Sequence, residues 1–422
     1  MTGRNAICVA YTLFLLFGLN LFADIAGPAG VYVISNTKED LSEPGKFNLP
    51  YITGVSLRMP WADMQTYDDI SETYVYDFSR IDRFIDELTA VGQKMTLELL
   101  IGKPDQSVLD HTNIVTWVNP RDGSEQPVPW DRNALDAYLD LMTNLSAHVV
   151  PGSGVPLNEN PTLVTVSAPI PGLSGVREVS GTLVAHPDYD RQTFVDAIVE
   201  GVAMSRDAFP NKHGFLAFFA MDDANVAQPL DRDIFDALQA AFNGEGQRSL
   251  GYFQETLSDT GPNAAAPMGS FLKEASDSTY IVFQALKPWI AQDEPAVESG
   301  TPVVGFWNAW ENFGATYVEL YGADATNQIN AQDLTDWNRF FHIVTAFERE
   351  EVTMSLGPQS ASALNLEWTS DPEGRYLIRQ STDLMDWTTG SQEVYTNTAV
   401  LNPTENRQFF KVEPLAPSSS GD

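Results

Sequence analysis

Residues 53–60 read TGVSLRMP, residues 77–92 read DFSRIDRFIDELTAVG, and residues 95–101 read MTLELLI. The first and third segments alternate between apolar and polar side chains, which is the period of a β-strand with one buried face. In the middle segment, apolar residues recur every three or four positions, which predicts an amphipathic helix with Ser79 as its N-cap and Gly92 at its end. Together the segments predict one strand–helix–strand unit.

The same succession of strand and helix patterns continues along the chain. Eight such units within residues 24–350 predict a (β/α)8 TIM barrel of the α/β class. After residue 350 the helical patterns end, and short strand patterns separated by Gly, Pro, Asn and Asp predict a small all-β, sandwich-like domain over residues 351–415. Residues 416–422 have the composition of a disordered tail. The strands predicted for the barrel are residues 30–34, 53–60, 95–101, 163–168, 215–221, 249–256, 279–285 and 316–321.

Residues 1–23 have the pattern of an export signal. Arg4 precedes the apolar stretch Ala6–Phe17, and Ala23 ends a small-residue cleavage motif. We therefore expect a secreted or periplasmic protein without a membrane anchor after cleavage; an uncleaved N-terminal anchor is the alternative. Cys8 is the only cysteine and lies in this segment, so the processed chain would have neither a disulfide nor a thiolate nucleophile.

The charge and the known motifs exclude several classes of function. With 24 Lys and Arg against 57 Asp and Glu, the formal net charge is −33, which argues against nucleic acid as a partner and against an anionic membrane surface. The five histidines have no metal-ligand spacing, and the chain contains no dinucleotide-binding fingerprint, P-loop or G-x-S-x-G nucleophile motif. We expect neither a metal nor a cofactor, and the sequence does not indicate an oligomeric state.

One region resembles a known family of enzymes. GVSLRMPW at residues 54–61, followed by YDFS at 76–79 and GQKM at 92–95, resembles the second and third units of secreted (β/α)8 glycoside hydrolases. The similarity is to β-galactosidase and cellulase-like enzymes of the planctomycete–verrucomicrobial type, and residues 377–412 resemble a small β module appended to such enzymes. The resemblance implies a carbohydrate substrate, and it matches Arg58 to an arginine that hydrogen-bonds near the catalytic nucleophile.

The sequence departs from this family at both expected catalytic positions. The resemblance implies carboxylates at the ends of the fourth and seventh barrel strands. The fourth predicted strand has no Asn-Glu pair, and its nearest carboxylate is Glu178 on the following loop. The seventh carries Gln284 near the position of the nucleophile, a role that glutamine cannot fill. A rearranged or inactive relative is therefore an alternative to a working enzyme.

Four glutamates are candidates for the chemistry, because glycoside hydrolysis usually needs two carboxyl groups and a barrel presents them at the C-terminal ends of its strands. We hypothesise that Glu178 is the general acid and that Glu319 or Glu255 is its partner. Alternation predicts that Glu319 faces the barrel lumen, whereas Glu255 could face either the lumen or the helices. Glu98 and Arg58 both point inward, either as a structural ion pair or as part of the site.

Aromatic side chains supply the other half of a sugar-binding site, since the C–H faces of a pyranose stack on indole rings. The tryptophans chosen here follow strands or lie in the long loop of residues 103–129, although each could equally be a core residue. The predicted substrate-binding residues are Arg58, Trp61, Glu98, Trp117, Trp130, Gln284, Trp289 and Tyr317.

Two functions are consistent with these patterns. The first is an exported glycoside hydrolase that cleaves a polysaccharide or oligosaccharide with a carboxylate pair. The second is a catalytically inactive barrel that binds carbohydrate. Fold alone does not separate them, because one barrel architecture hosts many chemistries.

Overall fold

The computed structural model of the chain describes residues 27–35, 48–173, 175–176, 181–218, 230–244, 249–293, 295–348, 354–358, 364–368, 374–381, 392–401 and 409–417. The chain divides into two compact units, Ile25–Phe341 and His342–Ser418. The predicted export signal, residues 1–23, lies outside the described residues. Among the helices that are described, none has the length and apolar character needed to cross a membrane.

The first unit is a closed barrel of eight parallel strands, which confirms the predicted (β/α)8 fold. Each strand pairs with the strands before and after it, and the first strand pairs with both the second and the eighth to close the barrel. The weakly patterned segment at residues 30–34 is therefore a true barrel strand. The strands are β1 Gly30–Ser35, β2 Gly54–Pro60, β3 Lys94–Leu100, β4 Leu163–Ser167, β5 His213–Ala217, β6 Leu250–Leu257, β7 Ile281–Ala285 and β8 Tyr317–Leu320.

Helices follow the strands from β2 onward. The longer ones are α1 Ser79–Ala90, α2 Gln106–Thr112, α3 Arg132–Ala147, α4 Arg191–Ala208, α5 Leu230–Phe242, α6 Pro267–Ala275, α7 Val303–Phe313 and α8 Ala331–Glu348. The loops also contain shorter elements. These are the hairpins Gln65–Asp68/Thr73–Tyr76, Thr116–Val118/Glu125–Pro127 and Val149–Val150/Val155–Pro156, the helices Trp61–Met64, Gly181–Val184 and Gly322–Thr326, and the 3-10 turns Trp289–Ala291, Pro295–Val297 and Gln328–Asn330.

The helix starts show how local chemistry sets these bounds. Asp131 caps α3, because its carboxylate accepts a hydrogen bond from the backbone N–H of Ala134 at 2.8 Å. The prediction that Ser79 caps α1 was wrong. Ser79 is the first helical residue, and its N–H donates to Asp77 Oδ1 at 2.9 Å, so Asp77 supplies the acceptor.

Aromatic rings and small polar groups fill the barrel interior. The rings of Tyr32 on β1 and Tyr317 on β8 are stacked with centroids 4.4 Å apart, and Phe215 and Phe253 are stacked at 5.0 Å. The hydroxyl oxygen of Tyr317 lies 2.9 Å from Thr96 Oγ1 on β3, so this side chain crosses the lumen to a strand that is not its neighbour. These inward-facing rings form one layer of the barrel interior. On each strand, the side chain two residues beyond this layer therefore points into the C-terminal mouth of the barrel.

The closure at β1 depends on one side chain from the last helix of the barrel. Asn338 Oδ1 accepts hydrogen bonds from the Val31 N–H and from the Thr53 hydroxyl, both at 2.7 Å. Gly30 precedes this point with φ +112°, and a Cβ there would lie 1.9 Å from Thr53 Oγ1. The junction of β1, β2 and α8 therefore requires a glycine and leaves no space for an additional atom.

The second unit contains two antiparallel sheets of three strands each. The sheet orders are β9-β10-β13 and β12-β11-β14, with β9 Met354–Pro358, β10 Leu364–Trp368, β11 Tyr376–Ser381, β12 Gln392–Val394, β13 Thr398–Leu401 and β14 Phe409–Pro414. Buried residues from both sheets form a common core, which confirms the sandwich-like fold expected from the short strand patterns. That core consists of Leu366, Trp368, Tyr376, Ile378, Val394, Ala399 and Val412, together with Ile343 from the end of α8.

Replacing Asn338 with alanine should destabilise the barrel by about 1–3 kcal/mol, because the Val31 N–H and the Thr53 hydroxyl lose their shared acceptor. Urea unfolding followed by tryptophan fluorescence measures the change. Asn338→Asp keeps an acceptor oxygen and is the matched control, expected to lose less. An alanine variant as stable as the wild type would contradict this role for Asn338.

Candidate active site

Arg58 lies at the centre of a polar cluster at the barrel mouth. Its Nε donates to Glu98 Oε2 on β3 at 2.7 Å, and its Nη2 donates to Gln284 Oε1 on β7. The same Nη2 lies 3.6 Å from Glu255 Oε1 on β6. Side chains from four strands thus meet at one guanidinium, whose own side chain is only 14% exposed.

Strand register explains why these residues meet. Arg58 is directly opposite Glu98 in the β2–β3 pairing, and Gln284 is directly opposite Glu319 in the β7–β8 pairing. Glu319 is two residues beyond Tyr317, so both side chains point to the same side of β8. The inward placement of Arg58, Glu98 and Glu319 agrees with the sequence alternation.

Glu255 faces the lumen, since its carboxylate reaches Arg58 from the opposite side of the barrel. The alternative that Glu255 faces the helices was therefore wrong. Tyr252 on the same strand faces the helices, since its ring contacts Phe235 on α5, with centroids 5.4 Å apart. The β6–β7 register shifts between Gln254 and Leu257, an irregularity of the kind that redirects side chains near functional sites. Glu255 and Glu98 both contact Arg58, but they differ in exposure. The side chain of Glu255 is 22% exposed and that of Glu98 is 7% exposed, so Glu255 is the carboxylate that meets solvent.

Glu319 faces the lumen as predicted, but it is 0% exposed and cannot contact a glycosidic oxygen in this conformation. The Tyr317 hydroxyl donates to its Oε1 at 2.8 Å, and Oε2 has no hydrogen-bond partner among the described residues. The prediction that Tyr317 binds substrate is corrected for the same reason, since this side chain is also 0% exposed. Glu319 and Tyr317 form a layer beneath the mouth.

Burial raises the pKa of Glu319 to about 8, and the charge of Glu98 adds to this effect. The positive charge of Arg58 and the hydrogen bond from Tyr317 act in the opposite direction but do not offset it. Burial also holds the pKa of the Tyr317 phenol well above its usual value. At neutral pH this layer is therefore mainly a neutral carboxyl group beside a neutral phenol.

Arg58 experiences two opposing effects on its pKa. Burial lowers the pKa, because a charged guanidinium loses hydration. The neighbouring carboxyl groups of Glu98, Glu319 and Glu255 raise it by more, and the result is a pKa above the ordinary arginine value. Arg58 is a permanent cation, and the acidic groups around it determine where it lies.

Three of the predicted sugar-stacking tryptophans are core residues, which corrects those predictions. Trp61 is fully buried, and its Nε1 donates to Gln65 Oε1 at 2.6 Å. Trp289 is also fully buried, with Nε1 donating to Asp259 Oδ1 at 2.7 Å. Trp117 is buried within the hairpin of residues 116–127. Their ring faces are covered by protein and cannot stack on a sugar.

Trp130 keeps part of its surface open. It is half-buried and packs edge-to-face against Tyr189 and Phe194, with centroids 5.6 and 5.7 Å away. Glu178, the predicted general acid, lies outside the described residues.

Thr96 had no predicted role, although the alternation of β3 had already placed it on the same face as Glu98. Its hydroxyl is hydrogen-bonded to the Tyr317 hydroxyl beneath the mouth, with the two oxygens 2.9 Å apart.

The described part of the chain contains no group of three or more His, Cys, Asp or Glu side chains placed to hold a metal ion.

Comparisons with known proteins find similar architectures at low sequence identity. No family model matches the chain, and neither does any curated protein. Among solved structures, the endo-1,4-β-mannanase from Rhizomucor miehei has 11% identity, a TM-score of 0.46, and coverage of 74% of this chain and 95% of that chain. The endo-β-1,4-mannanase from Thermotoga petrophila has 12% identity, a TM-score of 0.42, and coverage of 93% and 98%.

The catalytic domain of the major endoglucanase from Xanthomonas campestris pv. campestris has 11% identity, a TM-score of 0.42, and coverage of 76% of this chain and 99% of that chain. Similarities at this level assign neither a family nor the role of any residue. The barrel itself is established by the strand pairing.

Replacing Glu319 with glutamine should remove one component of the pH dependence of stability. Between the unfolded-state pKa of about 4.3 and the folded-state value of about 8, the native protein holds a proton that the unfolded chain has lost. Wild-type stability should therefore fall as the pH rises through this window, by up to about 1.4 kcal/mol per unit. Unfolding midpoints measured from about pH 4.5 to about pH 9 should show the variant gaining on the wild type with rising pH.

Glu311→Gln on α7 is the matched control, because the side chain of Glu311 is exposed to solvent. The stability of this variant should change with pH in the same way as that of the wild type across the whole pH range. Identical pH profiles for the wild type and Glu319→Gln would show that Glu319 is ionised in the folded protein and would contradict the neutral layer beneath the mouth.

Proposed function

We propose that this protein is a glycoside hydrolase whose reaction takes place at the C-terminal mouth of the barrel. The observation that carries the proposal is the arrangement around Arg58, where three carboxyl groups and one amide converge and one carboxylate, Glu255, meets solvent. Active sites of (β/α)8 enzymes lie at this face of the barrel. The resemblance of residues 54–95 to secreted glycoside hydrolases supports the same assignment.

Glu255 is the carboxylate proposed to act on the sugar, and Glu178 on the loop after β4 is its proposed partner as general acid. An ionised carboxylate can attack the anomeric carbon or remove a proton from water, while a second carboxyl group protonates the departing oxygen. We assign Glu98 and Arg58 to positioning, since Glu98 is engaged with the Arg58 Nε at 2.7 Å. Glu319 is proposed to act beneath them as a neutral, buried support rather than as the partner of Glu255.

The substrate class proposed is an extracellular or periplasmic polysaccharide or oligosaccharide, in keeping with the export signal expected in residues 1–23. We assign the activity to the barrel, predicted as residues 24–350. Trp130 is the tryptophan proposed to contact sugar, because part of its surface is open.

A carbohydrate-binding barrel without catalysis is the second candidate. It is favoured by Gln284, which accepts a hydrogen bond from Arg58 at the strand end where the resemblance implies a nucleophile. A screen of plant and algal polysaccharides for reducing-end release separates the candidates. Binding without release of reducing ends would support the second candidate.

Replacing Glu255 with glutamine should lower kcat by about 100- to 10,000-fold, the range for loss of a group that transfers a proton or forms the intermediate. KM should change much less, because Arg58 keeps its contacts with Glu98 and Gln284. Reducing-end release on the best substrate of the screen measures both constants. Glu311→Gln on the exposed face of α7 is the control and should retain wild-type rates.

Sodium azide should restore part of the turnover of Glu255→Ala if Glu255 is the nucleophile, since the small anion enters the space left by the side chain and attacks in its place. Near-normal turnover of Glu255→Gln would remove Glu255 from the mechanism.

A further inference from the structure

A cavity of about 400 Å³ lies beside the Arg58 cluster at the same mouth of the barrel. Pro60 and Leu100 form its floor, and these residues are directly opposite each other at the ends of β2 and β3. Each is two residues beyond a member of the cluster, Arg58 on β2 and Glu98 on β3. At about 3.3 Å per strand residue, the floor of the cavity begins about 7 Å from the cluster. That spacing places the cavity next to Arg58, whose Nη2 lies 3.6 Å from Glu255 Oε1.

The wall of the cavity is the hairpin of residues 116–127, whose turn is held by its own hydrogen bonds. Asn119 Oδ1 accepts from the Arg121 N–H at 2.9 Å, and the Asn119 N–H donates to the Ser124 carbonyl at 2.9 Å. Gly123 completes the turn with φ +73°, a backbone conformation that favours glycine. The turn therefore presents Arg121 at the cavity in a fixed backbone conformation.

The lining of the cavity carries two cations, Lys103 and Arg121. Both side chains are exposed, and neither forms a salt bridge within the residues that the structure describes. Asp122 is the acidic group of the lining, and its carboxylate already accepts from the Ser124 N–H at 3.0 Å and the Ser124 hydroxyl at 2.7 Å. The lining is thus net positive, in a chain whose net charge is −33.

The lining also has an unsatisfied polar atom. Gln126 is 5% exposed, and its Nε2 donates to Ser124 Oγ at 3.1 Å. Its Oε1 is buried without a hydrogen-bond partner in the described structure. A buried acceptor of this kind is uncommon in native proteins and calls for a donor. A rotation of the Gln126 side chain would be needed to expose this oxygen to a sugar hydroxyl in the cavity.

We propose that this cavity binds the negatively charged group of an acidic glycan, a uronate carboxylate or a sulfate ester, on a sugar unit next to the bond that is cleaved. Arg121 offers two parallel N–H donors to such an oxyanion, and Lys103 adds a point charge. After a rotation of its side chain, Gln126 would accept from a hydroxyl of the same sugar. This inference rests on the proposed glycosidase function and specifies its substrate class: acidic rather than neutral polysaccharide.

The test measures binding separately from turnover. Glu255→Gln is titrated calorimetrically with three probes: oligogalacturonate, a sulfated galactan oligosaccharide and a neutral galactan oligosaccharide. One or both acidic probes should bind at least about 10-fold more tightly than the neutral probe, because contacts to charged groups are stronger than neutral hydrogen bonds. That preference should shrink as salt is added, since screening weakens exposed charges. The probe that binds identifies the anion as carboxylate or sulfate.

Adding Lys103→Ala and Arg121→Ala to Glu255→Gln should abolish the preference for the acidic probe, whereas Lys103→Arg with Arg121→Lys should keep much of it. Lys273→Ala, which removes an exposed charge on α6, is the control and should not alter the preference. Equal binding of acidic and neutral probes, or an unchanged preference in the double alanine variant, would overturn the inference.

The outcomes for the inference and for the function are distinguishable. If the wild type hydrolyses neutral glycans and the acidic preference is absent, the hydrolase proposal stands and the anion site falls. If acidic probes bind through Lys103 and Arg121 but the wild type releases no reducing ends from any of the polysaccharides, the anion site stands and the hydrolase proposal falls.

Discussion

The mouth of this barrel is organised by the need to compensate one buried cation. Moving a guanidinium out of water costs several kcal/mol, and this cost is offset only if hydrogen bonds and opposite charges surround it. Arg58 obtains them from Glu98, Glu255 and Gln284, each on a different strand. The positions of these side chains follow from the need to compensate Arg58, and Glu255 is the one of the two carboxyl groups that the arrangement leaves more open to solvent.

The cost of burying a charge also explains the state of Glu319, which lies below Arg58. There it favours the neutral form of the group instead of a charge surrounded by partners. Glu319 lies under the cluster without solvent, and it is coupled electrostatically to Glu98. Because one guanidinium cannot compensate three close carboxylates equally, the most buried group takes up a proton. The site thus holds two acids, Glu98 and Glu255, against Arg58 and a neutral carboxyl group below them.

The direction of each side chain could be predicted from the sequence, but its depth could not. Strand alternation correctly placed Arg58, Glu98 and Glu319 inward, because the two-residue period follows from backbone geometry alone. Burial depends on what covers a residue from distant parts of the chain. Glu319 is sealed within the barrel interior, and Trp61 is held by Gln65 one turn later, so both were assigned more exposure than they have. The spacing of Trp61 and Gln65, four residues apart, was a local signal of an internal hydrogen bond.

The contact that closes the barrel has a consequence for how the chain is made. Val31 and Asn338 are separated by 307 residues, so the hydrogen bond between them waits until α8 has been synthesised. At about 5–20 residues per second, a ribosome needs about 15–60 s to cover that interval. Throughout it, β1 has no β8 to pair with, and its unpaired edge is open to other chains. In a nascent chain with this topology, the first strand can therefore pair with the wrong partner until the eighth strand has been made and the barrel can close.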